Sequence, residues 1–516
     1  MSLTEIEYDK VNAFSNLLID YNLNNSHFSD LISNFPTLDN LNKQISFKSK
    51  NYNNQFRESL VKEIGNQYKG IKLSEIQKQN INKLLEKDTY TITTGHQLNL
   101  LTGPLYFIYK IISTINLSET LKKNYTEFDF VPIYWMASED HDFDEINNFS
   151  FQGSKFKWSS NQTGVVGEFK LDSIDNVLSE FEKFVSDFPY GNEIIKIFRE
   201  CYLNSNDLSN ATRKLVNILF AKYGLIIIDA NNKNLKSLFR DLIKKELNEK
   251  FIFNKSKKSI KRLNELKYNL QANPREINLF YIHDKKRERI IEKGNLFQTS
   301  NGSKKWNLEE IQDDVNLNPE KFSPNVLFRP IFQEFILPNI CYVGGPAEVA
   351  YWLELKSVFE SLNLTFPLIL NRNSALLLEK KQIDKLNKLN VSIEEIFLPN
   401  KQLKENLVRK YSKLKLDFTN LKQQLNNQFS ELKDKAIHTD KSFIGALNAQ
   451  EQKQINGLKM LEKRLLKSEQ RIHQDKINKV LEIRDKLFPG GKPQERISNF
   501  SEFYKIHGPN MIDKIK

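Results

Sequence analysis

Cysteine is almost missing from this sequence: Cys201 and Cys341 are the two residues in 516. That excludes a disulfide scaffold and fits a reducing compartment. No Cys/His spacing resembles a structural zinc site. A long apolar run is missing too, since none reaches the roughly 18–20 residues that a membrane span needs. The opening, MSLTEIEYDK, carries acids and no apolar signal core, so export is not expected. A cytoplasmic location is. The pattern G-x-x-x-x-G-K-S/T is absent, which leaves a Walker-type phosphate loop unsupported. A single basic stripe is lacking as well. The formal charge is +12, but lysines mix with acids along the chain, so neither nucleic acid nor a membrane is an expected partner.

What is present points to a folded α/β protein. Hydrophobic residues make up 39% and aromatics 11% of the chain, enough for a sizeable core and two or three domains. Two apolar runs, Tyr90–Thr94 and Phe130–Ala137, end abruptly at Gly95-His96-Gln97 and at Ser138-Glu139-Asp140-His141-Asp142. Such runs suit strands buried on both faces of a parallel sheet, whose C-terminal ends form a ligand crevice. Pro104–Leu121 is predicted to be the crossover helix, with Thr102 as its cap and Pro104 at its first position.

Upstream, residues 1–88 read as helical, with amphipathic helices at Arg57–Tyr68 and Leu73–Leu85 and loops or short helices over Leu23–Asn54. Phe149–Phe169 suggests a small antiparallel insertion around Gly153 and Gly164. Helical patterns follow through Arg213–Tyr223, and Leu225–Ala230 reads as a buried strand. There Asp229 could face the crevice or serve a turn. Leu235–Leu270 is lysine-rich and helix-patterned, and Asn278–Lys305 contains two strands of a hairpin. Segments 149–215 and 250–325 therefore look like insertions into the sheet domain. The sheet resumes at Ile340–Val343, followed by the turn Gly344-Gly345-Pro346, a helix over Ala347–Leu362, and a last strand, Phe366–Leu370.

From Leu376 the period stays helical. Leu407, Tyr411, Leu414, Phe418, Leu421, Leu425 and Leu432 follow one heptad seam, and Leu458 to Leu487 a second. An interruption over Ala436–Gln454 suggests an antiparallel hairpin of helices. Pro489-Gly490-Gly491 stops the second arm, and Phe500, Phe503 and Tyr504 call for the tail to pack back. The expected domains are 1–375, 376–488 and 489–516.

The chemistry concentrates at the strand ends. The cluster Glu139, Asp140, His141, Asp142, Asp144 and Glu145 could supply a general base, orient an amine or bind a hard cation; the plainer alternative is acids answering a helix dipole. His96 and Gln97 end the first strand. Lys110, Arg329 and Arg372 are candidate clamps for carboxylate or phosphate, unless each pairs with a local acid. Gly95, Gly344, Gly345 and Ser374 complete the candidate binding set, because a glycine turn before a helix admits an anion. Glu348 reads as a dipole partner and Cys341 as an inert core thiol. No metal ligand set is assigned.

Together TTGHQLNLLTGPLYFIYKI, VPIYWMASEDHDFDEIN, FRPIFQEFILP, YVGGPAEVAYWLELKSVF and PLILNRNS resemble the cysteine-adding ligase family of bacillithiol biosynthesis, BshC. The resemblance covers nearly the whole chain. It implies a Rossmann-like, mostly parallel core with connecting insertions, an antiparallel coiled coil and a homodimer. It also implies the reaction, cysteine joined to the glucosamine amine of glucosaminyl malate. Amide formation needs an activated carboxyl, hence ATP with magnesium and an acyl-phosphate or acyl-adenylate. The core resembles class I nucleotidyltransferases, yet the chain has Gly95-His96-Gln97 in place of a full His-x-Gly-His. The competing expectation is a coiled-coil scaffold that binds a nucleotide or metabolite without turnover.

Overall fold

The computed structural model describes residues 3–437 and 441–516. Residues 1–2 of the expected N-terminal helical stretch, and 438–440 of the expected interruption, lie outside the described residues. The chain forms two units, Phe14–Leu376 with Gln494–Lys516, and residues 3–13 with Leu377–Pro493.

In the first unit the strands are β1 Thr89–His96, β2 Asp129–Met136, the hairpin β3 Asn148–Phe151 and β4 Ser154–Lys157, and β5 Ile226–Asp229. After them come β6 Leu279–His283, β7 Lys286–Lys293, β8 Leu296–Thr299, β9 Lys305–Trp306, β10 Phe322–Pro324, β11 Asn339–Gly344 and β12 Leu368–Asn371. Five of these build the central sheet in the order β12-β11-β1-β2-β5, and every pair is parallel. Chain order therefore runs outward in one direction from β1 to β5, then returns to β11 and continues to β12. The order reverses between β1 and β11.

β1, β2 and β11 are buried along almost their whole length, which is why they read as continuous apolar runs and not as alternating ones. Helix Tyr106–Asn124 links β1 to β2 and buries Ile108, Ile111, Ile112 and Ile115, the crossover that a parallel pair requires. Its start differs from the expectation. Leu101, Thr102 and Gly103 all take positive φ (47°, 72° and 62°), so Thr102 caps nothing, and the helix begins at Tyr106. The reversal is held from far along the chain. Asn499 Nδ2 donates to the carbonyls of Leu101 (2.9 Å) and Gly103 (2.6 Å), and Leu105 N–H donates to the Ser498 carbonyl at 2.8 Å.

Four other expectations change. Within Leu23–Asn54 stands a 14-residue helix, Leu38–Asn51, whose Thr37 Oγ accepts from Asn40 N–H; its many asparagines and lysines hid its buried stripe. The hairpin in Asn278–Lys305 is part of a five-stranded antiparallel sheet, β10-β6-β7-β8-β9. The helix expected over Ala347–Leu362 is two, Pro346–Leu353 and Lys356–Ser361. The last strand is displaced to Leu368–Asn371.

The second unit is helical, with Asn400–Tyr411, Thr419–Ala436, Lys441–Ile472 and Gln474–Leu487 as its long elements. Lys422 pairs with Glu462 at 2.6 Å and Lys433 with Glu451 at 2.5 Å, a falling register that makes the two middle helices antiparallel. Residues 441–454, expected to interrupt the arms, are helical. Phe429, Ala436 and Leu447 form the buried cluster there, whereas Leu414, Leu421, Leu432, Leu461 and Ile472 of the expected seams are exposed. Among the described residues no helix is long and apolar enough to cross a membrane.

Candidate active site

In open α/β sheets the point where strand order reverses is where ligands bind, at the strand C-terminal ends, and here that point lies between β1 and β11. Here β1 ends at Gly95-His96-Gln97 and β11 at Gly344-Gly345. A Cβ on Gly95 would lie 3.1 Å from the Tyr342 hydroxyl, and one on Gly344 only 3.0 Å from Glu348 Cβ. Gly95 thus leaves room for Tyr342 of the neighbouring strand, and Gly344 for Glu348 at the start of the helix that follows it.

Charge on this side of the crevice is already matched. Lys110, 2% exposed, pairs with Glu348 at 2.6 Å and donates to the Gly95 carbonyl. Glu348 also accepts from Gly345 N–H (2.7 Å) and the Tyr342 hydroxyl (2.5 Å). It therefore serves the start of its own helix. Arg372 uses both terminal nitrogens on Glu495, at 2.9 and 2.7 Å. Ser374 Oγ donates to the same carboxylate at 3.3 Å. Thus Lys110 and Arg372, read from the sequence as clamps for a ligand, are first of all partners of Glu348 and Glu495. What remains unpartnered is smaller: Arg372 Nε and His96 Nε2 are both shut off from solvent without a hydrogen bond. The His96 ring sits 5.4 Å from Tyr106 and 5.2 Å from Phe107. Burial, and then the fields of Lys110 and Arg372, push its pKa well below the usual imidazole range, so the ring is neutral.

The β2 side is more open. Gln97 Nε2 donates to Asp140 Oδ2 at 2.8 Å and Glu145 Oε2 at 2.9 Å, tying the end of β1 to the acids after β2. Burial alone would raise the Asp140 carboxyl, but Arg329, Gln97 and Arg287 outweigh it and hold it below its ordinary value. Arg329, at the start of helix Arg329–Ile336, has no hydrogen-bonded partner for its guanidinium among the described residues, and its field reaches both Asp140 and Tyr351. His141 and Asp142 are exposed. Glu139 is not: it is buried against Lys236 from a neighbouring helix. Asp229 accepts from Ser138 and faces Arg213 at 3.7 Å, a role in holding the ends of β2 and β5 together.

Two family descriptions match this chain end to end. "Bacillithiol biosynthesis BshC, N-terminal Rossmann-like domain" covers residues 1–373, and "Bacillithiol biosynthesis BshC, C-terminal coiled-coil domain" covers 375–516. The chain belongs to the BshC family. Similar proteins include one from Flavobacterium johnsoniae, 46% identical over 99% of this chain and 97% of its own. Others come from Christiangramia forsetii, 45% identical over 99% and 96%, and Cytophaga hutchinsonii, 38% identical over 100% and 96%. Each of the three bears the name "Putative cysteine ligase BshC".

Within this BshC-family fold, His96, Gln97, Asp140, His141 and Asp142 all lie at the ends of adjacent strands β1 and β2. Gly344, Gly345, Arg372 and Ser374 lie at the ends of β11 and β12. Sequence reading missed Tyr106, over whose ring the Arg372 guanidinium carbon lies at 5.3 Å, and Arg287 and Glu495. Glu145, read from the sequence as part of the acidic run, is brought to the end of β1 by Gln97. Nothing local marks Glu495 or Arg287, which reach the crevice from the returning tail and the antiparallel sheet. A separate surface groove of about 900 Å³, lined by Gln44, Lys258, Arg262, Lys356, Glu360 and Phe366 among others, lies by the N-terminal end of β12, away from these groups.

Proposed function

We propose that this crevice joins the carboxyl of cysteine to the glucosamine amine of glucosaminyl malate, forming the amide bond of bacillithiol. The observation that carries the reading is that Gln97 ties Asp140 and Glu145 to the end of β1, the strand whose other neighbour, β11, ends in the Gly344-Gly345 turn. The family and the names of its relatives point to the same reaction. ATP supplies the activation of the carboxyl that amide formation requires. The buried, unpartnered Arg372 Nε and His96 Nε2 beside the Gly344-Gly345 turn fit an anionic group. Magnesium bound with the nucleotide would offset the charge of its phosphates.

The chain's own residues then divide the work. Arg329, whose guanidinium keeps its hydrogen-bonding edge open, takes a malate carboxylate. The attacking amine must shed a proton, and Asp142, exposed beside the crevice, accepts it. Gln97 keeps Asp140 and Glu145 in register with the β1 end. A homodimer through the exposed leucines of the helical unit, in the cytoplasm, completes the reading. Purified protein given cysteine, glucosaminyl malate, ATP and magnesium should release bacillithiol, and omission of ATP should stop it. Folded protein that binds these compounds without turnover would replace the ligase by a binding scaffold.

A further inference from the structure

His141 lies in the loop after β2, yet its ring is governed by the other sheet. Arg287, on β7, donates from Nη1 to His141 Nδ1 at 2.9 Å. The guanidinium has no freedom to turn away. Its Nε donates to Ser323 Oγ at 2.9 Å, and its Nη2 to the Pro324 carbonyl at 3.0 Å. Its Cζ lies 3.9 Å from the centre of the Phe280 ring, whose centre is 5.5 Å from that of the imidazole. Only 7% of Arg287 is exposed.

This contact has one chemical solution. Every guanidinium nitrogen is a donor and none accepts, and arginine does not lose its proton in proteins. Nδ1 must therefore be the acceptor, which leaves the ring proton on Nε2. Asp140 does not compete for Nδ1. Its Oδ1 is 3.7 Å away and already accepts the backbone N–H of His141 at 2.8 Å. A second proton on the ring would put two cations in contact. The groups that face the imidazole are Arg287 and Arg289, which oppose its charging, and Asp140 and Asp142, which favour it. Burial, the largest influence, sides with the arginines and lowers the pKa.

We infer that Arg287 is a positioning residue that fixes His141 as the neutral Nε2–H tautomer, so that His141 donates a hydrogen bond to the carbonyl oxygen of the carboxyl under attack and takes no proton from the amine. This rests on the ligase reading of the crevice and sharpens it, since it leaves proton removal to a carboxylate. Side-chain exposure of 45% at His141 leaves the Nε2 edge free for a ligand.

The test uses the full chain with ¹⁵N-labelled histidine. His141 is identified among the seven histidines by comparison with His141→Gln. At neutral pH its Nε2 should show the pyrrole-type shift and its Nδ1 the pyridine-type shift. In Arg287→Met the two tautomers should mix, the titration midpoint should rise, and kcat should fall on the order of tenfold, the worth of one hydrogen bond, with KM changed far less. A wild-type ring protonated on Nδ1 overturns the inference without any variant and without any substrate. The expected tautomer together with full kcat in a folded Arg287→Met overturns the donor role. If the wild-type tautomer is as described but no bacillithiol forms, it is the proposed reaction that fails, while the Arg287 contact stands.

Discussion

The two walls of the crevice solve opposite problems. On the β11–β12 side the cations are buried, and each has its own acid: Lys110 with Glu348, Arg372 with Glu495. On the β2 side Glu139 is buried against Lys236, but Asp142 and Glu145 are exposed, and Arg329 and Arg287 hold the Asp140 carboxyl below its ordinary value without a hydrogen bond to it. A buried ion pair is weak evidence for a ligand site, because each charge there needs its partner simply to be tolerated. The comparison teaches that cation count at a strand end says little, and that the groups left unpaired say more.

The sharpest way to break this comparison is Asp142→Asn. It keeps shape and removes the charge on the open side, and bacillithiol formation should fall roughly 100- to 10,000-fold with the melting temperature unchanged. Wild-type turnover in that variant would reduce the open wall to helix-start decoration and move attention to His96. Glu495→Gln should do the reverse. It strands Arg372, 1% exposed, without its counter-charge, for a loss of about 3–5 kcal/mol in denaturant unfolding. Unchanged stability would show that the closed wall is not held by that pair.

The helical unit offers a smaller contrast. Phe429→Ala, in the buried cluster with Ala436 and Leu447, should cost about 3 kcal/mol, while Leu421→Asp, at 47% exposure, should leave monomer stability within about 0.5 kcal/mol. Sedimentation of Leu421→Asp reports separately on the homodimer: unchanged mass would exclude that leucine from it. The smallest effect is a slope. His96 has a folded pKa depressed below its ordinary 6.5, so the stability it confers is present above that value and is lost as pH falls beneath it. His96→Gln should flatten the acid limb of the stability profile by at most about 1.4 kcal/mol per pH unit.

The strands of the parallel sheet were legible because a strand buried on both faces writes itself as an unbroken apolar run, and their polar ends were legible because the run stops. The β6–β10 sheet was only half legible. β9 is two residues long and β10 contains Pro324, too little pattern to register. Arg372 was visible as a residue but not as one half of a pair, since its partner lies 123 positions away. The hairpin seam misled for a related reason. Leucines at heptad spacing mark a face, but Leu421, Leu432 and Leu461 are left exposed, and the buried contact joins Phe429, off that seam, to Leu447, inside the expected interruption.

The reversal at Leu101-Thr102-Gly103 has a consequence in time as well as in space. Non-glycine residues with positive φ are unfavourable by about 1–3 kcal/mol each, and here they are held by the Ser498 carbonyl and the Asn499 side-chain amide. A ribosome makes β1, β2, β11 and β12 long before it reaches those residues, and Glu495 is made just ahead of them. Until that segment emerges, the nascent sheet has its strands but neither the clasp on the β1 turn nor the acid that settles Arg372. Completion of the crevice is thus among the last events of synthesis, and a chain arrested before Glu495 should hold a sheet without a finished site.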